Sequence, residues 1–246
     1  MMNPLEIISS FWMDYYDGLM ITLQLSAIGA LLAGVLSLPL ALARLHAHWM
    51  LQLPLRVYVS FVRGTPMLAQ LFLIYYGSGQ FRPLLEELGL WVFFRDPYYC
   101  ALMTFVLNST AYQIEIMRGG LTGVPHGQIE AASAIGMSRF TMYRRVILPH
   151  AYRISWPALG NEIILLIKAS ALASVVTVFD LMGKTRLIFS KTYDLSAYLW
   201  ATVIYLLLVV MLVWVWRKLE VYFNAHFYSE RLTTQKRSKN EYQYEK

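Results

Sequence analysis

Long runs of apolar residues, separated by short polar intervals, set the rhythm of this chain. A bilayer hydrocarbon core about 30 Å thick needs roughly 20 apolar residues in helical form. Five runs approach that length: 19–43, without a charge; 65–81, also uncharged; 97–117, with Glu115 alone; 155–182, with Glu162, Lys168 and Asp180; and 195–216, uncharged. Trp200, Trp214 and Trp216 mark the last run in the manner of interfacial anchors. The pattern predicts an all-α integral membrane helix bundle of five transmembrane helices. Residues 1–18 form an N-terminal segment, 19–222 the membrane domain, and 223–246 a polar tail of mixed charge.

The interval 124–149 is not a polar linker. Pro125 suits the first position of a helix. Ile129, Ala132, Gly136, Phe140, Tyr143 and Ile147 then recur three or four residues apart, which gives one face of a helix or of two short helices. Gly136 divides the run, at a cost of about 1 kcal/mol in a helix interior, so a turn or a close backbone approach is expected there. Arg139, Arg144 and Arg145 fall on the wetter side, and Pro149 closes the segment. Such an element either lies on lipid headgroups or docks a partner.

Composition sharpens the class. The chain is 57% hydrophobic and 15% charged, with a mean hydropathy of +0.46, against about 25% charged in soluble domains. That excludes an ordinary soluble enzyme, a disordered chain and a small secreted domain. Cys100 is the one cysteine, so there is neither an intrachain disulfide nor a cysteine-built zinc site. The net charge of +6 is distributed unevenly: the intervals on one side of the five runs carry 15 Lys and Arg, those on the other carry 5. By the positive-inside rule the N-terminus faces out and the C-terminus in; the interval at Lys184 fits least well. No Lys or Arg precedes Arg44, and the first run is too long for a cleaved signal peptide.

Charges inside spans are functional candidates by default. Glu115 has Arg118 three residues on, with Arg63 as a second neighbour. Glu162 and Lys168 are six residues apart, about 240° around a helix, so each needs a partner other than its neighbour. An intramembrane enzyme would need a pattern such as His-Glu-x-x-His, and the histidines at 46, 48, 126, 150 and 226 sit in loops or at span ends. A channel would need a filter, and Tyr76-Gly77-Ser78-Gly79 is a slight one. Gly183-Lys184-Thr185 lacks the upstream glycine of a phosphate-binding loop, since Val178 stands there.

Glu130-Ala131-Ala132, Gly136 and Val146-x-Leu148-Pro149 resemble the EAA motif of ABC-importer permeases. Arg63-Gly64-Thr65-Pro66 with Gln70, Ala111-Tyr112-x-x-Glu115, Arg118-Gly119-Gly120-Leu121 and Asn161-Glu162-Ile163 are similar to segments of the polar amino-acid importer permeases, in the same order. Within that family the chain looks most like the M-type subunits of histidine, lysine-arginine-ornithine and octopine importers. The resemblance implies a non-catalytic permease subunit in the bacterial cytoplasmic (inner) membrane, with no cofactor of its own. It implies a second permease subunit, two cytoplasmic ATPase subunits that hold ATP-Mg, and an extracytoplasmic binding protein. Residues 124–149 would be the coupling element, with Glu130, Ala131, Ala132, Gly136, Arg139, Leu148 and Pro149 at the ATPase. An amino-acid substrate has an ammonium and a carboxylate. Glu162 is the candidate for a cationic group and Lys168 for the carboxylate, with Thr65, Asn161 and Ser170 as neutral contacts along the path. The family often has Lys-Asp-Thr-Ser where this chain reads Lys168-Ala169-Ser170-Ala171, so one acid is missing. The expected cargo is a basic amino acid or an opine, with neutral or acidic amino acids as the alternative.

Overall fold

The computed structural model describes residues 3–244, with side chains as far as Tyr222. The side chains of the polar tail at 223–246 lie outside the described residues.

Asn3 and Glu6 cap each other's end of the chain, and Pro4 occupies a first-turn position that needs no N–H donor. Helix α1 therefore opens at Pro4 and runs to His46, 43 residues, or about 64 Å at 1.5 Å per residue. The apolar run at 19–43 is only its middle. Phe11 leaves helical geometry (φ −115°, ψ 17°) and kinks it near the start.

The second run is longer than its apolar part and is not straight. Helix α2 (Trp49–Gly64) and α3 (Met67–Gln80) meet at 108°. Pro66 excludes Thr65 from the helical region, and Thr65 is extended (φ −117°, ψ 148°). Two short helices, α4 (Arg82–Glu87) and α5 (Trp91–Phe94), lead to α6 (Pro97–Thr122), whose Asp96 cap accepts from Tyr98 N–H. The interval 124–149 holds α7 (His126–Ala134), α8 (Arg139–Met142) and a five-residue π-turn, Tyr143–Ile147. The π-turn continues directly into α9 (Leu148–Ala169) and a 3-10 stretch, Ser170–Val176. The fourth apolar run stops there and not at 182: Thr177 turns left-handed (φ 67°), and Asp180 caps α10 (Leu181–Thr192) through Gly183 N–H at 2.9 Å. Helix α11 (Ser196–Tyr244) ends the fold.

Three helical stretches are long and apolar enough to cross a membrane, Pro4–His46, Arg139–Val176 and Ser196–Tyr222; the bent α2–α3 pair makes a fourth. Helix α6 has the length but not the apolarity. Thr104, Asn108, Ser109, Thr110 and Gln113 are all buried along it. The helix lies at the centre of the bundle, packed by α1, α2, α3 and α9, so its polar groups meet protein and not lipid.

The core is stacked in three layers along α1. Ala41 joins Val59, Ile114, Met117, Ile147 and Ala151 at one end. Leu25 joins Leu71, Phe105, Leu166 and Val176 in the middle. Ile7 and Tyr15 join Leu181, Ile188 and Ala197 at the other end. Polar ties fix that last end: Tyr15 Oη donates to Ala197 O at 2.9 Å, and Lys184 Nζ reaches Asp14 at 2.8 Å and Asp17 at 3.5 Å. The Asp14 hydrogen bond holds the Lys184 ammonium above the ordinary lysine pKa. Helix α11 is locked to α9 by stacking of Trp216 on Trp156, ring centroids 4.4 Å apart, and by Trp216 Nε1 donating to Trp156 O at 3.1 Å. Gly160 makes room for that indole.

Candidate functional site

Polar side chains converge where α2 breaks into α3. The break leaves backbone acceptors without a helical partner, and Gln70 supplies them. Its Nε2 donates to Val62 O at 2.8 Å, to Thr65 Oγ1 at 2.8 Å and to Thr65 O at 3.1 Å. Thr65 Oγ1 in turn donates to Phe61 O at 2.8 Å. The Gln70 carbonyl oxygen accepts from Asn108 Nδ2 at 3.0 Å, which ties the break to α6.

The next residue of α6 carries the thread to α9 and α1. Ser109 Oγ donates to Glu162 Oε1 at 3.0 Å and accepts from Gln113 Nε2 at 3.1 Å, which also lies 3.5 Å from Ala30 O. Glu162 is 6% exposed. One neutral hydroxyl is its hydrogen-bond partner among the described residues. A carboxyl group so placed has acceptor capacity left over for a donor-rich group.

Of the five path residues named from the sequence, the structure brings Thr65 and Glu162 to this thread. Ser170 is buried but donates to its own helix, to Ile167 O at 2.8 Å. Asn161 and Lys168 are exposed, away from Glu162. They lie on a stripe of α9 and its extension at Ile154, Asn161, Lys168 and Val175, each seven residues from the next and each exposed. Asn108, Ser109 and Gln113 are not among the path residues expected from the sequence, where Asn108-Ser109-Thr110 reads only as a glycosylation acceptor misplaced inside a span. Their signal was the run Asn108-Ser109-Thr110 in mid-span, which has no place in a lipid-facing helix.

At the other end of the chain's core the 124–149 interval is a built element. Helix α7 ends in a glycine-terminated turn: Gly136 has φ 77°, its N–H donates to Ser133 O at 3.0 Å, and Met137 N–H donates to Ala132 O at 3.1 Å. These are the paired bonds of a Schellman motif, and Met137 packs against the apolar cluster that holds Ala132. A Cβ on Gly136 would meet nothing within 4 Å, so the expected close approach is absent within this chain and the left-handed turn is the reason for glycine. Ser138 caps α8 through Thr141 N–H at 3.3 Å. Ala132, Met142 and Ile147 turn inward, whereas Glu130, Ala131, Gly136, Arg139 and Pro149 are exposed and Leu148 is half-buried. Ile135 and Phe140 stand out at 73% and 75% exposure on either side of the Gly136 turn.

Two polar ties hold this element's surroundings. Glu115 pairs with Arg44 of α1 and, at 2.9 Å, with Arg118; Arg63 lies instead over the Tyr112 ring, 5.3 Å from its centroid. Tyr143 Oη and His46 Nε2 are 2.9 Å apart. No group of three His, Cys, Asp or Glu side chains that could hold a metal occurs among the described residues.

Residues 20–220 match the family "Binding-protein-dependent transport system inner membrane component". The chain is 46% identical over 186 residues to the nopaline transport system permease protein NocM of Agrobacterium fabrum (strain C58), covering 75% of this chain and 77% of that one. It is 38% identical over 218 residues to the histidine/lysine/arginine/ornithine transport system permease protein HisM of Escherichia coli (strain K12), covering 87% and 92%. Among solved structures, a chain of an amino acid ABC transporter determined with histidines superposes with a TM-score of 0.78 at 30% identity, covering 89% of this chain and 98% of that one. A chain of the methionine ABC transporter MetNI, at 17% identity and a TM-score of 0.69, shares the fold.

Proposed function

This chain belongs to the family of binding-protein-dependent transport system inner membrane components, and we propose that it conducts a basic amino acid or an opine across the inner membrane. It is the permease subunit of an ABC amino-acid importer, without catalysis of its own; ATP is consumed by a separate ATPase subunit, and a binding protein delivers the substrate. The finer assembly is our reading. A second, different permease subunit completes the membrane portion. The N-terminus faces out and the C-terminus in, in line with the 15-to-5 distribution of basic residues. Helix α6, third in chain order, completes the five spans: its 26 residues reach about 39 Å, and its neighbours supply the apolar exterior it lacks.

The 124–149 element is the coupling element. Glu130, Ala131, Gly136, Arg139 and Pro149 are exposed on it, and Ile135 and Phe140 present apolar surface of the kind a protein groove covers. Substrate passes along the α2–α3 break and the exposed stripe of α9. A discontinuous helix at mid-bilayer places free backbone N–H groups and a helix dipole beside a ligand, and α3 begins there without a side-chain cap. Lys168 and Asn161 on the α9 stripe are too polar for lipid and suit a wet passage between two permease subunits.

The observation that carries the substrate class is Glu162, a buried acid whose hydrogen-bond partner is a neutral hydroxyl. A ligand ammonium or guanidinium donates to the carboxyl acceptor positions that Ser109 leaves open. The relatives named for histidine, lysine, arginine, ornithine and nopaline transport support the same class. The test is uptake into proteoliposomes holding the permease pair and the ATPase, with the binding protein added outside. ATP-dependent accumulation of labelled arginine, histidine or an opine is the expected result. Accumulation of neutral or acidic amino acids alone would overturn the substrate class.

A further inference from the structure

The coupling element leaves the bundle by two routes, and they end on different helices. The covalent route runs through the π-turn Tyr143–Ile147 into α9. Pro149 explains the π-turn. A proline ring clashes with the carbonyl four residues back and offers it no N–H; that carbonyl belongs to Arg145. Widening the turn moves it aside, and Leu148 N–H closes a five-residue step onto Tyr143 O. The second route is non-covalent. Tyr143, the first residue of the widened turn, reaches His46, the last residue of α1, across 97 positions of sequence.

The contact is directional. His46 Nδ1 lies 3.2 Å from Leu42 O, an acceptor only, so Nδ1 carries the proton and donates. In the neutral imidazole Nε2 is then the acceptor, and Tyr143 Oη–H donates to it at 2.9 Å. The two rings meet edge to face at 83°. Ala132, Met142 and Ile147 of the coupling element also share one apolar cluster with Ala41 of α1. Apolar contacts set distance but tolerate sliding, whereas a hydrogen bond fixes register.

We propose that Tyr143 and His46 are positioning residues that fasten α1 to the coupling element, so that a displacement imposed by the ATPase moves α1 and α9 as one body. The proposal rests on the permease reading above. Helix α1 contributes to all three core layers, so a stroke delivered at His46 is carried along α1 toward its kink at Phe11. Without the bond, hydrolysis continues and α1 lags.

The experiment uses the reconstituted complex and reads two rates, ATP hydrolysis and substrate uptake. Tyr143→Phe and His46→Phe should each leave hydrolysis within twofold of wild type and lower uptake per ATP three- to tenfold. The double variant should be no worse than either single one. His46→Gln, whose amide oxygen stands where Nε2 accepts, should recover most of the ratio. A wild-type ratio in both single variants, or losses that multiply in the double variant, would overturn the proposal. A second measurement does not depend on the variants' strength: in a Cys100→Ala background, His46→Cys and Tyr143→Cys joined by a bifunctional thiol reagent should still transport, because the two points travel together. Arrest of uptake by that tether would also overturn it. Failure of the unmodified complex to take up substrate with ATP would instead count against the permease reading itself.

Discussion

Glu162 and Gly136 allow the sharpest tests among single residues. Glu162→Gln keeps the side-chain volume and an oxygen for Ser109 to bond, so charge is the variable. Assembly and thermal stability should hold, while uptake of a cationic substrate falls about 10-fold, roughly 1.4 kcal/mol of lost interaction. Wild-type uptake by Glu162→Gln complexes would remove this carboxylate from the path. Lys168→Met tests the exposed stripe in the same assay, with a smaller loss expected because Lys168 lies apart from Glu162. At Gly136 the backbone decides. A leucine forced to φ 77° pays about 1–2 kcal/mol, whereas asparagine tolerates the left-handed region. Gly136→Leu should lose ATP-driven uptake and co-purification of the ATPase, and Gly136→Asn should keep most of both. Equal behaviour of the two variants would show that the left-handed turn is not what matters there.

Among the elements, the junction of α9 with α11 is the most exposed to a small change. A Cβ on Gly160 collides with the Trp216 indole. Gly160→Val should therefore unstack Trp156 and Trp216 and cost about 1–3 kcal/mol of overpacking, seen as a lowered melting temperature of the purified protein. An unchanged melting temperature would mean that the tryptophan pair repacks freely. Helical class and the 124–149 element were legible in the residues, because apolar length and a three- and four-residue spacing survive any tertiary detail. The limits of elements were less so. The stretch 49–64, with Arg56 and Arg63, reads as an interval between runs, although it is apolar on one side, with Met50, Leu53, Val57 and Phe61 exposed. The fourth run was read past its end because the residue that turns left-handed is Thr177, and threonine gives no stop signal. The polar thread was half legible. Glu162 stands out as a charge in a span, but Asn108, Ser109 and Gln113 are neutral, and only the packing of α6 shows what they meet.

At the scale of the whole molecule the orientation is the first thing to measure. In a Cys100→Ala background, cysteines placed at Ser10 and Glu87, both exposed, should react with an impermeant thiol reagent in intact cells. One placed at Lys218 should react only after permeabilisation. Labelling at Lys218 from outside would reverse the assignment of faces. The polarity of α6 has a further consequence, and it concerns how the protein is made. A helix with Asn108, Gln113 and Glu115 in its span partitions poorly into lipid alone. During synthesis it must wait beside the translocation channel until something receives it. Helix α1 is made first, and it carries the groups that do so: the Ala30 carbonyl for Gln113 and Arg44 for Glu115. The order of the chain is thus an order of insertion, in which the first helix acts as an internal chaperone for the third span. A chain begun at Trp49 should be retained at the channel or degraded, and supplying residues 1–46 as a separate polypeptide should rescue it.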